Sequence, residues 1–383
     1  MVGLGSFSEL RAALATTCRS LDDARTLPAA VFTHTRIHDL EQRTLFARHW
    51  LAIARVTELE DAGSFVTKDV AGERILIVRD EVGELRAFFN VCRHRGSRLV
   101  DEARGRLRSG IACPYHAWVY GFDGRLRRAP QRVIDTDSDA LGLVTIPLVV
   151  REGFVFVQLD RPATLEPALP SLEPFNLGVL VRVARLDYEV RCNWKIVCEN
   201  YSECYHCPGV HPQLSRLSDF SGDGFEDEAG YNGGPMQLRP GIDTLSTTGR
   251  SDWQRLCDPL SNASSLIQYW LVYPNLMLGV HPDYLLVHRA WPIGADRCRV
   301  DCEVFVHPQT AATAGFDARA VVAFWDLTNR QDWALCERVQ QGVASRGYRP
   351  GPYHPSERCV HAFDRWYARY LLGLLQAEYS DAP

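Results

Sequence analysis

Two short pairs of cysteine and histidine constrain this chain more than any other feature of its 383 residues. Cys92 and His94 form a C-x-H pair, and Cys113 and His116 form a C-x-x-H pair further along. Two thiolates and two imidazoles can hold a [2Fe–2S] cluster, with the thiolates on one iron and the imidazoles on the other. The same four side chains also suit a tetrahedral structural zinc ion.

The order of these ligands favours the cluster. Zinc fingers with two cysteines and two histidines usually pair like with like, whereas each short pair here contains one of each. Arg95-Gly96 follows the first histidine, Pro114-Tyr115 precedes the second, and Trp118 comes soon after it. The segment therefore resembles the Rieske signature. A Rieske cluster passes single electrons but does not itself act on a substrate.

A second group of candidate ligands lies in the segment NWKIVCENYSECYHCPGVHP, residues 193–212. Asn193 is typical of a helix N-cap, so we expect a helix to begin there. On one continuous helix Glu199, Glu203 and His206 would share a face, because they follow one another at spacings of one turn. The sequence thus predicts a polar, metal-facing side of this helix.

A helix break after this face would bring a second histidine back towards the first. Pro208 and Gly209 predict that break, and His211 follows it. Two histidines and one carboxylate form the facial triad of non-heme Fe(II) oxygenases, which leaves positions open for O2. Two nearby histidines are also common as ordinary surface or core residues, so this pattern alone does not decide the matter.

Together the two motifs resemble the catalytic (alpha) subunit of Rieske non-heme iron oxygenases. The resemblance runs from about residue 45 to about residue 350. The segment from Asn193 is most similar to the branch that acts on quaternary ammonium compounds, which includes choline, glycine betaine, stachydrine and carnitine oxygenases. It implies O2-dependent oxidation of a C–H bond, by N-demethylation or hydroxylation. Oxidation of an aromatic or natural-product substrate is the alternative, and an electron-transfer Rieske protein is the alternative from another class.

The resemblance also implies a third iron ligand far downstream. Residues 318–343 have apolar positions at helical spacing, and similar proteins carry an acid ahead of a C-E-x-V-Q-x-G segment. That acid is Asp332 in this sequence. Asp326 and Glu337 are competing carboxylates on the same predicted helix. The implied mononuclear Fe(II) site is therefore His206, His211 and Asp332.

The family resemblance assigns further roles and partners. Glu203 corresponds to the acid that links a cluster histidine of one subunit to an iron histidine of its neighbour, and Asn200 is expected near the iron. The sequence contains no G-x-G-x-x-G dinucleotide motif, so a separate NAD(P)H-dependent reductase with flavin and an iron–sulfur centre is implied. Family members are commonly homotrimers.

Composition excludes several classes of partner and location. The net charge of −5 implies no nucleic-acid partner. The sequence contains no run of 18 apolar residues, so we expect no membrane span. The N-terminal stretch lacks the basic start and apolar core of a secretory signal. The 12 cysteines show no disulfide framework, so we expect reduced thiols and a cytoplasmic protein.

The pattern of elements predicts an α+β fold with two domains. Residues 46–160 contain short alternating strands, which indicate a small all-β Rieske domain. Residues 161–383 should form a catalytic domain with an antiparallel sheet covered by helices, and residues 1–45 should pack on it. Residues 218–252, rich in Gly, Asp and Ser, read as a long loop over the active site. Candidate pocket residues are Phe220, Phe225, Tyr231, Trp270, Tyr273, Tyr284 and Trp291, with His281 and His288 as polar alternatives and Arg239 or Arg250 as partners for a carboxylate.

Overall fold

The computed structural model describes residues 7–130, 140–160, 166–220, 225–258 and 266–380, and it divides the chain into two compact units. One unit comprises residues 40–167. The other comprises residues 1–39 together with 168–383. The first is dominated by short antiparallel strands and the second combines an antiparallel sheet with helices, so the predicted α+β fold is confirmed. The predicted boundaries at residues 45 and 160 stay predictions.

The smaller unit contains three antiparallel sheets with the orders β5-β2-β3-β4-β9, β6-β7-β8 and β1-β11-β10. Its strands are β1 (Leu51–Arg55), β2 (Ser64–Val70), β3 (Glu73–Arg79), β4 (Leu85–Phe89), β5 (Arg104–Arg106), β6 (Ile111–Ala112), β7 (Val119–Tyr120), β8 (Leu126–Arg128), β9 (Thr145–Ile146), β10 (Leu148–Arg151) and β11 (Phe154–Val157). Ala71 and Gly72 join β2 to β3, and both have positive φ, which is the geometry of a type I′ hairpin turn.

The larger unit is built on one antiparallel sheet with the order β12-β19-β18-β17-β16-β15-β13, to which β14 adds by pairing with β15. Its strands are β12 (Val181–Val190), β13 (Ser218–Asp219), β14 (Glu226–Glu228), β15 (Tyr231–Leu238), β16 (Leu266–Val272), β17 (Leu276–Val280), β18 (Leu285–Gly294) and β19 (Arg297–Val306). Its helices are α1 (Phe7–Thr17), α2 (Ala30–Thr33), α3 (Thr35–Glu41, which runs across the unit boundary), α4 (Trp194–Tyr201), α5 (Cys207–Val210), α6 (Pro212–Ser215), α7 (Pro308–Ala312), α8 (Arg319–Val343) and α9 (Arg358–Ser380). Within this unit α1 packs on α9, and α4 packs on α8 and α9. None of the described helices is long and apolar enough to cross a membrane.

Helix α4 begins where the sequence predicts, but it ends earlier. The side chain of Asn193 accepts a hydrogen bond from the backbone N–H of Lys195 at 3.1 Å, which caps the helix. The helix ends at Tyr201, and the Ser202 hydroxyl donates to the carbonyl oxygen of Cys198. The prediction of one polar face that carries Glu199, Glu203 and His206 is therefore wrong, because only Glu199 of these three lies on α4.

The chain after α4 makes two short helical turns instead of one break. Pro208 lies in the first turn of α5 and Pro212 begins α6, positions where a missing N–H costs nothing. His206 immediately precedes α5 and His211 lies between the two turns. Pro208 and Gly209 thus lie inside a helical turn and do not interrupt a longer helix.

Helix α8 matches the helix predicted over residues 318–343 to within one residue. Val321, Phe324 and Trp325 are buried on one side of it, as the apolar spacing indicates. Val339, also part of the apolar pattern, is instead 45% exposed. The helix brings Asp332 to the sheet-facing side of the unit, 121 residues along the chain from His211.

The segment 218–252 is a long loop only in its second part, where residues 239–252 form turns and bends without a helix or strand. Its first part, as far as it is described, contains β13, β14 and β15, and β15 pairs with β16 from Tyr231 to Gln237. Gly233 has φ of +145°, and a Cβ added there would lie 2.1 Å from the carbonyl oxygen of Tyr269. The glycines that suggested a loop thus allow close contact between two strands.

Candidate active site

The loops of the smaller unit bring the four predicted cluster ligands together as two like pairs. The thiol of Cys92 is within hydrogen-bonding range of the Cys113 sulfur. The rings of His94 and His116 have centroids 4.6 Å apart. Each sequence pair mixes Cys with His, but in space Cys meets Cys and His meets His, as the two irons of a [2Fe–2S] cluster require.

The surroundings of the cysteines suit thiolate ligands. Burial raises the pKa of Cys113, but hydrogen bonds from the backbone N–H groups of Tyr115 and His116 outweigh it and hold this pKa below its ordinary value. The Tyr120 hydroxyl lies 3.3 Å from the Cys92 sulfur. Nδ1 of His116 is buried and has no hydrogen-bond partner among the described residues. A buried imidazole nitrogen without a hydrogen-bond partner fits a metal–imidazole bond.

A single zinc ion fits these four ligands less well. In a tetrahedral zinc site the donor atoms lie about 3.5 Å from one another, as bond lengths of about 2.0–2.3 Å dictate. Among the described residues, no such set of three donors within 4.8 Å of one another is found at Cys92, His94, Cys113 and His116. The geometry therefore favours two metal ions over one.

A second set of donors converges in the larger unit. Nε2 of His206 lies 3.2 Å from Nε2 of His211 and 3.2 Å from Oδ1 of Asp332. Nε2 of His211 lies 2.9 Å from the same oxygen. The two short turns α5 and α6 thus bring together histidines five residues apart, and α8 adds the carboxylate. This places all three predicted iron ligands around one point.

The other nitrogen of each histidine is held by a neighbouring side chain. Nδ1 of His206 lies 2.6 Å from Oε1 of Glu203, whose second oxygen accepts the His206 backbone N–H at 3.1 Å. Nδ1 of His211 lies 2.7 Å from Oε1 of Gln331, to which Gln213 also donates at 2.7 Å. Both imidazoles therefore direct Nε2 towards Asp332, as metal-ligating histidines with outer-shell partners do.

The competing carboxylates of α8 are engaged elsewhere. Asp326 accepts hydrogen bonds from Tyr188 and Arg330. Glu337 forms an ion pair with Arg191 at 2.9 Å. Cys207 is a further possible donor, but its sulfur lies 3.9 Å from Nε2 of His206, farther than Asp332. A hydrogen bond with Cys204 and burial raise the pKa of the Cys207 thiol, which disfavours the thiolate that a metal would need.

Protonation shows that this cluster of donors attracts a cation. Burial lowers the pKa of His206, but hydrogen bonds to Asp332 and Glu203 outweigh it and raise that pKa to about 10. Burial raises the pKa of Asp332, yet the hydrogen bonds with both histidines bring it below its ordinary value. The same two carboxylates that favour a proton on His206 would favour a divalent cation bound by these side chains.

These donors open onto one cavity of about 190 Å³. Glu203, His206, His211 and Asp332 line it, and so does Asn200, which was predicted near the iron. Six aromatic residues line it: Tyr201, Phe220, Phe225, Tyr269, Trp325 and Trp333. Acidic, imidazole and aromatic groups therefore surround a small, partly open cavity.

Only some of the residues predicted for the pocket line the cavity. Phe220, Phe225 and His288 line it, whereas the other five aromatic residues predicted for the pocket, and His281, do not. Arg239 and Arg250 do not line it either, and Arg358 does. Sequence reasoning missed Arg358, Gln331 and Gln213. For Gln331 a signal existed, because it directly precedes Asp332, but nothing in the sequence connects residue 358 to the segment around His206.

Comparison with known proteins assigns both units. Residues 49–138 match the Rieske [2Fe-2S] domain. Residues 177–373 match the family described as the catalytic domain of the ring hydroxylating alpha subunit. The chain belongs to the Rieske oxygenase alpha-subunit family. It therefore has the domain that carries the [2Fe–2S] cluster and the domain that binds mononuclear iron, which confirms both predicted cofactors.

Two relatives and one solved structure show how far the similarity to these Rieske oxygenases extends. The glycine betaine monooxygenase oxygenase subunit of Chromohalobacter salexigens is 31% identical, covering 96% of this chain and 91% of that protein. The carnitine monooxygenase oxygenase subunit of Escherichia coli is 30% identical, covering 87% of this chain and 88% of that protein. The crystal structure of the quaternary ammonium Rieske monooxygenase CntA with L-carnitine superposes with a TM-score of 0.76 at 26% identity, covering 92% and 97% of the two chains.

Proposed function

We propose that this Rieske oxygenase oxidises a C–H bond of a small quaternary ammonium compound, such as an N-methyl group of a betaine. The observation that carries the proposal is the small aromatic cavity that contains His206, His211 and Asp332. The relatives that are similar over nearly the whole chain are named for glycine betaine and carnitine. Loss of an oxidised N-methyl group as formaldehyde would be N-demethylation.

His206, His211 and Asp332 are the proposed ligands of the mononuclear iron. The iron, when bound, supplies O2 activation. The protein supplies a fixed set of one carboxylate oxygen and two Nε2 atoms on one side of the metal. Glu203 and Gln331 hold the imidazoles in orientation through their Nδ1 atoms. Asn200 lines the cavity next to these ligands and helps to position substrate.

Cys92, His94, Cys113 and His116 are the proposed cluster ligands, and Glu203 is the proposed link on the electron route. Glu203 already contacts Nδ1 of His206 at 2.6 Å, and its side chain is 14% exposed. Its second oxygen accepts the His206 backbone N–H, and because each carboxylate oxygen has two lone pairs, it can also accept a hydrogen bond from a cluster histidine of a neighbouring subunit. This role requires a homotrimer or another oligomer in which the two sites of different subunits meet.

The size and lining of the cavity support the proposed substrate class. Drug-sized ligands occupy pockets of about 300–1,000 Å³, so about 190 Å³ suits a compound of a few carbons. Aromatic faces attract quaternary ammonium groups through cation–π contacts. Tyr269 and Trp325 contribute such rings close to the iron ligands.

The electron donor and the cellular location complete the proposal. We propose a separate NAD(P)H-dependent reductase with flavin and an iron–sulfur centre as the electron donor, since the sequence has no dinucleotide motif. None of the 12 cysteines forms a disulfide, which supports a reducing compartment and hence the cytoplasm.

A single turnover of the pre-reduced protein tests the proposed function without the reductase. The protein is loaded with iron, reduced chemically and mixed with O2 and one substrate at a time. The panel contains glycine betaine, carnitine, choline, stachydrine, an aromatic acid and an aryl methyl ether. Products are identified by mass spectrometry and formaldehyde is quantified.

We expect oxidised product from at least one quaternary ammonium compound, and none from Asp332→Ala at equal cluster content. Products from the aromatic compounds alone would retain an oxygenase and refute the substrate class. Cluster reoxidation without any product, in the presence of full iron, would favour an electron-transfer protein.

A further inference from the structure

The charged side chains that line the cavity differ in whether another charged or imidazole group binds them. Glu203 and Asp332 are both bonded to the histidines of the proposed iron site. Arg358 lines the same cavity, and no carboxylate among the described residues lies within ion-pair distance of it. Farther along the same helix, Arg365 pairs with Asp227. Arg358 is therefore a cationic group of the cavity whose charge the described chain leaves unbalanced.

The position of Arg358 directs its charge to the cavity wall. It is the first residue of α9, and Ser356 and Cys359 beside it also line the cavity. Its guanidinium carbon lies 5.3 Å from the ring centroid of Phe225, another cavity residue. Stacking of this kind restrains a guanidinium group while its N–H donors stay available.

Helix stability does not explain an arginine at this position. The N-terminal end of a helix carries partial positive charge, so a cation there is unfavourable and an anion is favourable. The first turn of α9 contains no acidic residue, and the Glu357 carboxylate that directly precedes it accepts the backbone N–H of His354. A bound anion would satisfy both the guanidinium group and the helix end.

The geometry points to Arg358 as the residue that binds the carboxylate of a zwitterionic quaternary ammonium substrate, such as a betaine. The aromatic rings of the cavity hold the ammonium end nearer the iron ligands. Arg239 and Arg250, which the sequence suggested for this role, are used elsewhere. Arg239 donates to the carbonyl oxygen of Ser215 at 2.9 Å, and Arg250 lies 3.6 Å from Asp243. This inference rests on the proposed function, because it concerns the same substrate.

Glycine betaine and choline form a matched pair of ligands for a test. Both carry a trimethylammonium group, but only glycine betaine has a carboxylate. Dissociation constants are measured by calorimetry on the iron-loaded holoenzyme without O2, for the wild type, Arg358→Gln and Arg358→Lys. The matched control is Arg250→Gln, an exposed arginine outside the cavity. Single-turnover rates with both compounds are measured on the same preparations.

We expect Arg358→Gln to weaken glycine betaine binding about tenfold, the low end for a charged hydrogen bond, because Arg358 is solvent-exposed. Choline binding should stay unchanged. Arg358→Lys should weaken glycine betaine binding by less than Arg358→Gln does, since lysine keeps the charge and loses the forked geometry. Arg250→Gln should match the wild type with both ligands.

The other possible results have distinct meanings. Equal weakening of both ligands, or no change in either, would overturn the role of Arg358 and leave the proposed function intact. A wild-type protein that binds choline more tightly than glycine betaine would also overturn it. A wild-type protein that binds and oxidises neither compound, nor carnitine or stachydrine, would overturn the proposed function itself.

Discussion

A buried pair of acids between α4 and α9 makes the stability of the larger unit depend on pH. Asp364 is fully buried and Glu199 is half-buried with an enclosed Oε1, and the Tyr353 hydroxyl donates to Asp364 at 2.6 Å. Burial raises the pKa of Asp364 to about 7. Burial and the nearby Asp364 carboxyl hold the pKa of Glu199 well above its ordinary value, and Lys195 offsets this only in part.

The sign and size of the effect follow from these values. The folded protein keeps a proton on Asp364 to a higher pH than the unfolded chain does. The stabilisation from this group is therefore complete below about pH 3.8 and is lost as the pH rises through about 7. A rise in pKa from 3.8 to about 7 corresponds to about 4 kcal/mol at about 1.4 kcal/mol per pKa unit. Asparagine is isosteric and uncharged, so Asp364→Asn should remove this dependence.

Thermal unfolding of the holoenzyme between pH 5 and pH 9 measures the effect. We expect the Asp364→Asn protein to unfold at a higher temperature than the wild type, with a gap that is smaller near pH 5 and reaches its full size above about pH 7. Asp80→Asn is the control of opposite sign. Burial raises the pKa of Asp80, but hydrogen bonds from the Glu84 backbone and Arg86 outweigh it and lower that pKa. Asp80→Asn should therefore destabilise the protein at neutral pH, with a gap that narrows in acid.

Parallel pH profiles for the wild type and Asp364→Asn would refute this reasoning. They would mean that Asp364 is ionised in the folded protein near neutral pH, or that water reaches the acid pair. A lower unfolding temperature of the variant at all pH values would instead assign the Asp364 carboxyl an essential hydrogen bond.

The remaining predictions concern the metal site and the strand beside it. Asp332→Ala should lose the mononuclear iron and keep the visible spectrum of the cluster, as measured by the ratio of iron to sulfide; full iron content with activity would remove Asp332 as a ligand. Glu203→Gln should retain both metals and reoxidise its cluster more slowly in stopped-flow absorbance; unchanged turnover would remove Glu203 from the electron route. Gln331→Leu should weaken iron binding by about tenfold, since it frees Nδ1 of His211; an unchanged iron affinity would show that Gln213 compensates. Gly233→Ala should lower the unfolding temperature, since its Cβ would meet a backbone oxygen at 2.1 Å; wild-type stability would mean that the strand shifts without cost.

The parts of the site that sequence could predict are those with a local pattern. The Cys and His pairs around Cys92 and Cys113 have a spacing that few metal sites share, and the helix that carries Asp332 has a clear apolar period. The helix face predicted for Glu199, Glu203 and His206 failed because spacing alone cannot tell where a helix ends. The end at Tyr201 depends on how α4 packs, and the two prolines that follow then begin new turns.

Contacts between distant segments were beyond sequence reasoning. Arg358 and Phe225 line the same wall although more than 100 residues separate them, and no motif connects the two. Residues 218–252 read as a loop because glycine and polar residues usually mark loops. In β15 the glycine at position 233 serves instead to bring two strands close together.

The cluster loops are insulated on one side and open on the other. Cys92 and Cys113 are 2% and 4% exposed, whereas His94 is exposed and His116 half-buried. An electron would therefore enter and leave at the imidazole edge, and the thiolate edge would be shielded. Hydrogen bonding and solvent exposure both tune the potential of such clusters. Any protein surface that covers His94 would change that potential, so assembly itself would set the driving force for electron transfer.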